Sequence, residues 1–172
     1  HGGSLRLESR PGAGTTVHVE LPLCAGPVPT AVPRAGPATG HGLILVVDDE
    51  QRVREVACDG LQGLGYGVLS AADGAEALAC VRRHGAAIAL VLLDMQMPVM
   101  DGRTCFAALR AEQPDLRVIL ASGYSEVADY QDMLAGGLAG FLAKPYRLAD
   151  LGQAVASVLA GGTWPLTAQG RA

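Results

Sequence analysis

Two short runs, Leu43–Val47 and Ile88–Leu93, are apolar at every position. A strand with one wet face alternates apolar and polar residues, so an unbroken apolar strand must be covered on both faces, the situation of a parallel sheet under helices. The intervening sequence supplies those helices. Glu50–Leu64 has helical spacing through Val53, Val56, Ala57, Leu61 and Leu64, and further helices are expected at Ala75–Arg83, Arg103–Glu112, Glu126–Leu134 and Leu148–Leu159. Shorter strands are expected at Tyr66–Leu69, Leu116–Ala121 and Gly140–Ala143. Five strands alternating with five helices predict a doubly wound α/β domain with helices on both faces of a five-stranded parallel sheet.

Upstream the pattern changes. Residues 4–23 alternate apolar and polar side chains (Leu5, Leu7, then Val17, Val19, Leu21) around the turn-forming Arg10–Gly14, the signature of a β-hairpin. A lone hairpin is marginal in water, so it leans on the main domain, leans on a neighbouring chain, or frays. Residues 24–41 carry Pro27, Pro29, Pro33 and Pro37 among Ala and Gly and read as an extended linker. The domain is expected over 42–160, with a mobile tail at 161–172. The chain opens on His-Gly-Gly without an initiator Met, as expected of a segment of a longer protein.

The 172 residues are 49% hydrophobic and 17% charged, which permits a sizeable core and argues against global disorder. A net charge of −4 supplies no basic footprint for nucleic acid. The central apolar run Ala86–Leu93 is far too short to span a bilayer, and no signal peptide is expected. Cys24, Cys58, Cys80 and Cys105 are widely spaced and do not cluster with His1, His18, His41 or His84, so free thiols in a reducing cytoplasm are expected rather than a zinc site.

In open α/β sheets, ligands gather at the carboxyl ends of the strands. Those ends carry Asp48, Asp49 and Glu50, then Asp94, then Ser122, then Lys144-Pro145. Three neighbouring carboxylates repel one another unless a cation intervenes, and a hard, oxygen-liking ion such as Mg²⁺ answers the need, with Mn²⁺ as an alternative. Asp48-Asp49 could instead serve the N-terminus of the next helix, but one acid would suffice for that. Asp94 could be a turn residue, yet it ends a central strand, where a carboxylate can attack phosphorus. Lys144 would supply the ammonium such a transfer needs. Ser122-Gly123 also reads as an ordinary loop pair.

Four segments, Ile44–Glu50, Val91–Gly102, Leu120–Tyr124 and Phe141–Pro145, resemble the receiver domains of two-component response regulators and hybrid sensor histidine kinases. The resemblance implies a flavodoxin-like fold with strand order 2-1-3-4-5. It implies that Asp94 accepts phosphate from a phosphohistidine and that Asp48, Asp49, Asp94 and the backbone carbonyl of Gln96 bind Mg²⁺. By the same likeness Lys144 contacts the phosphoryl oxygens, Ser122 is the hydroxyl switch residue, Phe141 is the aromatic switch residue or simply a core Phe, and Pro145 follows a cis peptide bond. The last helices and strand would form the output surface.

Residues 1–22 are similar to the final strand pair of a histidine kinase ATP-binding domain, whose nucleotide-binding boxes would lie upstream. The implied parent is a hybrid sensor kinase, itself membrane-anchored or not. The present chain is expected neither to bind ATP nor to autophosphorylate, and to sit in the cytoplasm without touching membrane or nucleic acid. Its implied partner is a histidine kinase or histidine phosphotransfer domain, in cis or in trans, with homodimerisation left open. Two alternatives compete. A haloacid dehalogenase-type phosphatase needs Asp-x-Asp, where this chain has Asp94-Met95-Gln96. A receiver acting by contact alone would not need the competent residues just named.

Overall fold

The computed structural model describes residues 2–12, 14–22, 40–123 and 130–164. Backbone contacts divide the chain into two compact units, 1–34 and 35–172.

In the first unit, strands β1 (Ser4–Arg10) and β2 (Gly14–Glu20) pair antiparallel. The register sets Leu5 opposite Val19 and Leu7 opposite Val17, the cross-strand pairs that stabilise a hairpin. Every residue of both strands is exposed.

The second unit holds strands β3 (Leu43–Val47), β4 (Gly67–Ala71), β5 (Ile88–Asp94), β6 (Arg117–Ser122) and β7 (Gly140–Ala143), with helices α1 (Gln51–Gly63), α2 (Gly74–His84), α3 (Gly102–Glu112), α4 (Gln131–Ala135) and α5 (Leu148–Leu159). All pairings are parallel and the order is β4-β3-β5-β6-β7, so the expected 2-1-3-4-5 arrangement is present. Strand periodicity sorts the central side chains to two faces. Leu45, Val47, Val91, Leu93, Val118 and Leu120 pack with Ala77, Val81, Cys105, Phe106 and Leu109 of α2 and α3. Ile44, Val46, Leu90, Leu92 and Ile119 pack with Ala57 and Leu61 of α1 and Leu151, Val155 and Val158 of α5. Each fully buried Val, Leu, Ile or Phe among them stabilises the fold by about 1.5–3 kcal/mol.

Local chemistry sets the element ends. The Asp73 side chain accepts from the Glu76 N–H at 2.8 Å, while Glu76 accepts from the Ala72 N–H at 2.8 Å, closing the start of α2 reciprocally. The Asp101 side chain accepts from the Thr104 N–H at 2.7 Å and begins α3.

Three expectations shift. The strand placed at Tyr66–Leu69 runs from Gly67 to Ala71, because the Tyr66 N–H still bonds the Leu61 carbonyl in the turn that ends α1. The helix placed at Glu126–Leu134 is described only as Gln131–Ala135; residues 126–129 lie outside the described residues, and Tyr130 is not helical. Gly161–Trp164, assigned from sequence to a mobile tail, are held in place. Gly162 donates to the Ser157 carbonyl, Trp164 donates to the Ala139 carbonyl at 3.0 Å, and Trp164 forms a parallel bridge to Gly140. The Pro-rich linker lies almost wholly outside the described residues. Among those residues Cys58, Cys80 and Cys105 are free thiols, and no helix is long and apolar enough to cross a membrane.

Candidate functional site

Parallel pairing delivers the acidic residues to one edge. Asp48 follows β3 directly and is fixed twice by the backbone: its N–H bonds the Ala71 carbonyl, and its Oδ1 accepts from the Glu50 N–H at 3.0 Å. The Arg54 guanidinium donates to its carbonyl at 2.5 Å. Asp94 is the last residue of β5, and the next N–H, of Met95, bonds the Ala121 carbonyl on β6. Lys144 is anchored at the end of β7 by its own N–H, which donates to the Ser122 carbonyl at 2.7 Å. The Lys144–Pro145 peptide is cis.

The Lys144 ammonium then reaches both buried acids, at 2.7 Å from Asp48 Oδ2 and 2.6 Å from Asp94 Oδ1. Asp49 stands exposed beside them, and one carboxylate oxygen from each of Asp48, Asp49 and Asp94 lies within 4.8 Å of the others. Three carboxylates against one ammonium leave an excess of negative charge on hard oxygen donors. That donor set fits a divalent cation of the Mg²⁺ or Ca²⁺ kind and suits a soft metal poorly. The pocket measures about 530 Å³ and is lined by Asp48, Asp49, Asp94, Gln96, Ser122 and Lys144 among others. It therefore gathers every residue expected to hold the cation or to face the phosphoryl group.

Electrostatics in the pocket are opposed. Burial pushes the Asp94 carboxyl above its usual range, and the Lys144 ammonium pulls the other way without fully compensating. Lys144 is itself raised: burial opposes its charge, but hydrogen bonds to Asp48 and Asp94 outweigh that cost. Burial also pushes the Tyr146 hydroxyl up to about 12, so it stays neutral beside the site.

The loop after Asp94 is tightly drawn. Met100 donates to the Pro98 carbonyl at 2.8 Å across Val99, whose φ of 73° is rare for a β-branched residue and marks a strained γ-turn. Gly102 donates to the Met95 carbonyl, closing the loop. A Cβ on Gly102 would sit 2.4 Å from the Asp94 carbonyl oxygen, so the approach of α3 to the acid requires glycine.

Phe141 lies outside the pocket. It is buried on β7 with its ring centroid 5.1 Å from that of Tyr130. Tyr130, fully buried, donates its hydroxyl proton to Ser122 Oγ at 3.0 Å. Sequence reasoning passed over Tyr130 and Arg54, since neither sits at a strand end.

Residues 44–156 match the response regulator receiver domain family. The chain belongs to that family. This receiver is 36% identical to the sensor kinase CckA of Brucella abortus over 168 residues, covering 92% of this chain and 18% of the kinase. It is 40% identical over 118 residues to the transcriptional regulatory protein PrrA of Mycobacterium tuberculosis, covering 67% of this chain and 49% of the regulator. The receiver thus spans half or less of the curated relatives it matches. Among solved structures, the receiver domain of NtrX from Brucella abortus superposes with a TM-score of 0.64 at 28% identity, covering 68% of this chain and 98% of that one. The CheX–CheY–BeF3–Mg complex of Borrelia burgdorferi gives 0.65 at 32% identity, covering 68% and 88%.

Proposed function

We propose that this receiver takes a phosphoryl group from a phosphohistidine onto Asp94, with Mg²⁺ held by Asp48, Asp49, Asp94 and the Gln96 carbonyl. The observation that carries the reading is the double contact of Lys144 with Asp48 and Asp94 in an acid-rich pocket. An Asp94 oxygen forms the new P–O bond as the donor's P–N bond breaks, and the leaving imidazole keeps the electron pair and takes up a proton. Bound Mg²⁺ would offset charge on the phosphoryl oxygens. Lys144 is placed to move its hydrogen bonds from Asp94 to a phosphoryl oxygen, and Ser122 to donate to another. Phe141 would report the change on the face built by α4, β7 and α5.

The parent is read as a hybrid histidine kinase. Covering 92% of the chain takes the match to the Brucella sensor kinase beyond the receiver, through the linker and into the hairpin. The partner is a kinase or phosphotransfer domain presenting the phosphohistidine, in a cytoplasmic setting. Incubation with Mg²⁺ and acetyl phosphate tests the chemistry. Wild type should gain the mass of one phosphoryl group and Asp94→Asn none; equal behaviour would leave a receiver that works by contact alone.

A further inference from the structure

Asp48 sits at the join between β3 and α1, and three of its groups are held. Its N–H bonds the Ala71 carbonyl, its Oδ1 accepts from the Glu50 N–H, and its carbonyl accepts from the Arg54 guanidinium at 2.5 Å. The carbonyl lies outside the helical ladder, whose first bond runs from the Arg54 N–H to the Glu50 carbonyl. Helical side chains lean toward the N-terminus of their helix, so a long side chain one turn in reaches the preceding strand end. Arg54, half-buried on α1, does so.

The bonded carbonyl belongs to the peptide that joins Asp48 to Asp49. A peptide unit is planar, so fixing its carbonyl also fixes the direction in which the chain leaves towards Asp49. Asp49 is exposed, yet one of its oxygens lies within 4.8 Å of oxygens of both Asp48 and Asp94. Like charges would drive an exposed carboxylate away from two others, so the backbone has to hold it there. The Asp48 side chain is fixed separately by its bond to the Glu50 N–H, which leaves Asp49 as the acid that depends on the peptide plane. Unlike Lys144, Arg54 donates to a main-chain carbonyl and takes up none of the carboxylate oxygens a cation would use.

We propose that Arg54 is a positioning residue for the cation site. Its guanidinium orients the Asp48–Asp49 peptide so that the Asp49 carboxylate stays over the pocket. The inference rests on the reading of Asp48, Asp49 and Asp94 as ligands of a divalent cation. Arg54 itself is not a ligand and does not touch the reacting atoms.

Titrating the full chain with Mg²⁺, read by calorimetry and by the rise in melting temperature, tests the proposal. Arg54→Met keeps a long stem and removes the donor; Arg54→Gln, shorter and uncharged, replaces it if melts without divalent ions show that it does not fold. Either variant should bind Mg²⁺ about tenfold more weakly than wild type, the lower end of the range for partners that orient metal ligands. Arg54→Lys, whose ammonium can still donate to the carbonyl, should recover most of that affinity. Asp49→Ala should also weaken binding, and adding Arg54→Met to it should weaken it little further, because the acid being aimed is gone. Unchanged affinity, with or without a lower melting temperature, would mean that Arg54 only ties α1 to β3. Tighter binding would mean that its charge merely repels the cation, and an equal loss in the Asp49→Ala background would place its effect elsewhere. Each of these overturns the positioning role and leaves the cation reading intact. Failure of wild type to bind Mg²⁺ would overturn both.

Discussion

Lys144 donates to Asp48 and Asp94 together, so its ammonium and a divalent cation would draw on the same two carboxylates. Replacing it with methionine removes the competitor while keeping a long apolar stem. Lys144→Met should therefore bind Mg²⁺ on the order of tenfold more tightly, the equivalent of about 1.4 kcal/mol of relieved repulsion, although phosphoryl transfer from acetyl phosphate should fall. A calorimetric Mg²⁺ titration giving unchanged or weaker binding would refute the competition. Asp94 supports a second expectation. Burial raises its carboxyl in the folded state, so its contribution to stability is complete below the ordinary carboxylate range and lost as pH rises through the folded value. Asp94→Asn should then be more stable than wild type at pH 7 without divalent ions, by a margin that shrinks towards pH 3, as read by urea unfolding. A margin independent of pH would show that Asp94 titrates as it does in the unfolded chain. Asp48, Asp49, Asp94, Ser122 and Lys144 were legible in the sequence because each ends an apolar strand, and parallel topology does the gathering. Tyr130 was not, because it follows Ser122 by eight residues, inside a stretch whose spacing suggested uninterrupted helix, and nothing in a linear pattern shows a phenol turning back on a strand end.

At the scale of elements, the apolar strands and the helices that cover them could be read with small errors at their ends, and those errors have local causes. Tyr66 looks like strand from its composition, but a backbone bond to Leu61 keeps it in the turn after α1. The end of the sheet carries a feature that composition hides. β7 is an edge strand, and Trp164 lies along it, bridging Gly140, donating to the Ala139 carbonyl and packing against the core that α1 and α5 cover. A Cβ on Gly140 would come within 2.7 Å of the Trp164 Cβ, so this docking depends on glycine in the edge strand. Nothing in the linear pattern holds a Gly-Gly-Thr-Trp segment against anything, because its partners are the backbone carbonyls of Val158, Ser157 and Ala139 and a missing side chain. Edge strands left open invite pairing with other chains, and the Trp164 segment covers part of this one. Trp164→Ala should cost about 1–2 kcal/mol, less than the ~3–5 of a fully buried tryptophan because the indole is only half-buried. Chemical unfolding measures the loss. An unchanged midpoint would mean that the segment rests on the sheet without stabilising it.

The whole molecule combines two units of unequal self-sufficiency. The receiver unit has two helix-covered sheet faces, whereas the hairpin unit exposes every residue of both strands, including Leu5 at 69% and Val19 at 61%. Two strands with no covered face contribute little stability of their own. Such an apolar pair belongs against further structure, in keeping with our reading of it as the last strands of a kinase domain. Two consequences follow for the chain by itself. Removing residues 1–34 should leave the melting temperature of the receiver and its affinity for beryllofluoride as they are in the full chain. A fall beyond about 4 °C, corresponding to roughly 1 kcal/mol or more in a domain of this size, would mean that the hairpin supports the receiver and that the two units do not fold independently. Amide exchange provides the complementary measurement. In the present chain the β1 and β2 amides should exchange near the unprotected rate while those of β3 and β5 are retained, because local opening of an uncovered hairpin costs almost nothing and exposing the central strands requires global unfolding. In a longer protein that includes the preceding kinase region, the same hairpin amides should become protected. Persistent fast exchange there would remove the case for a kinase strand pair.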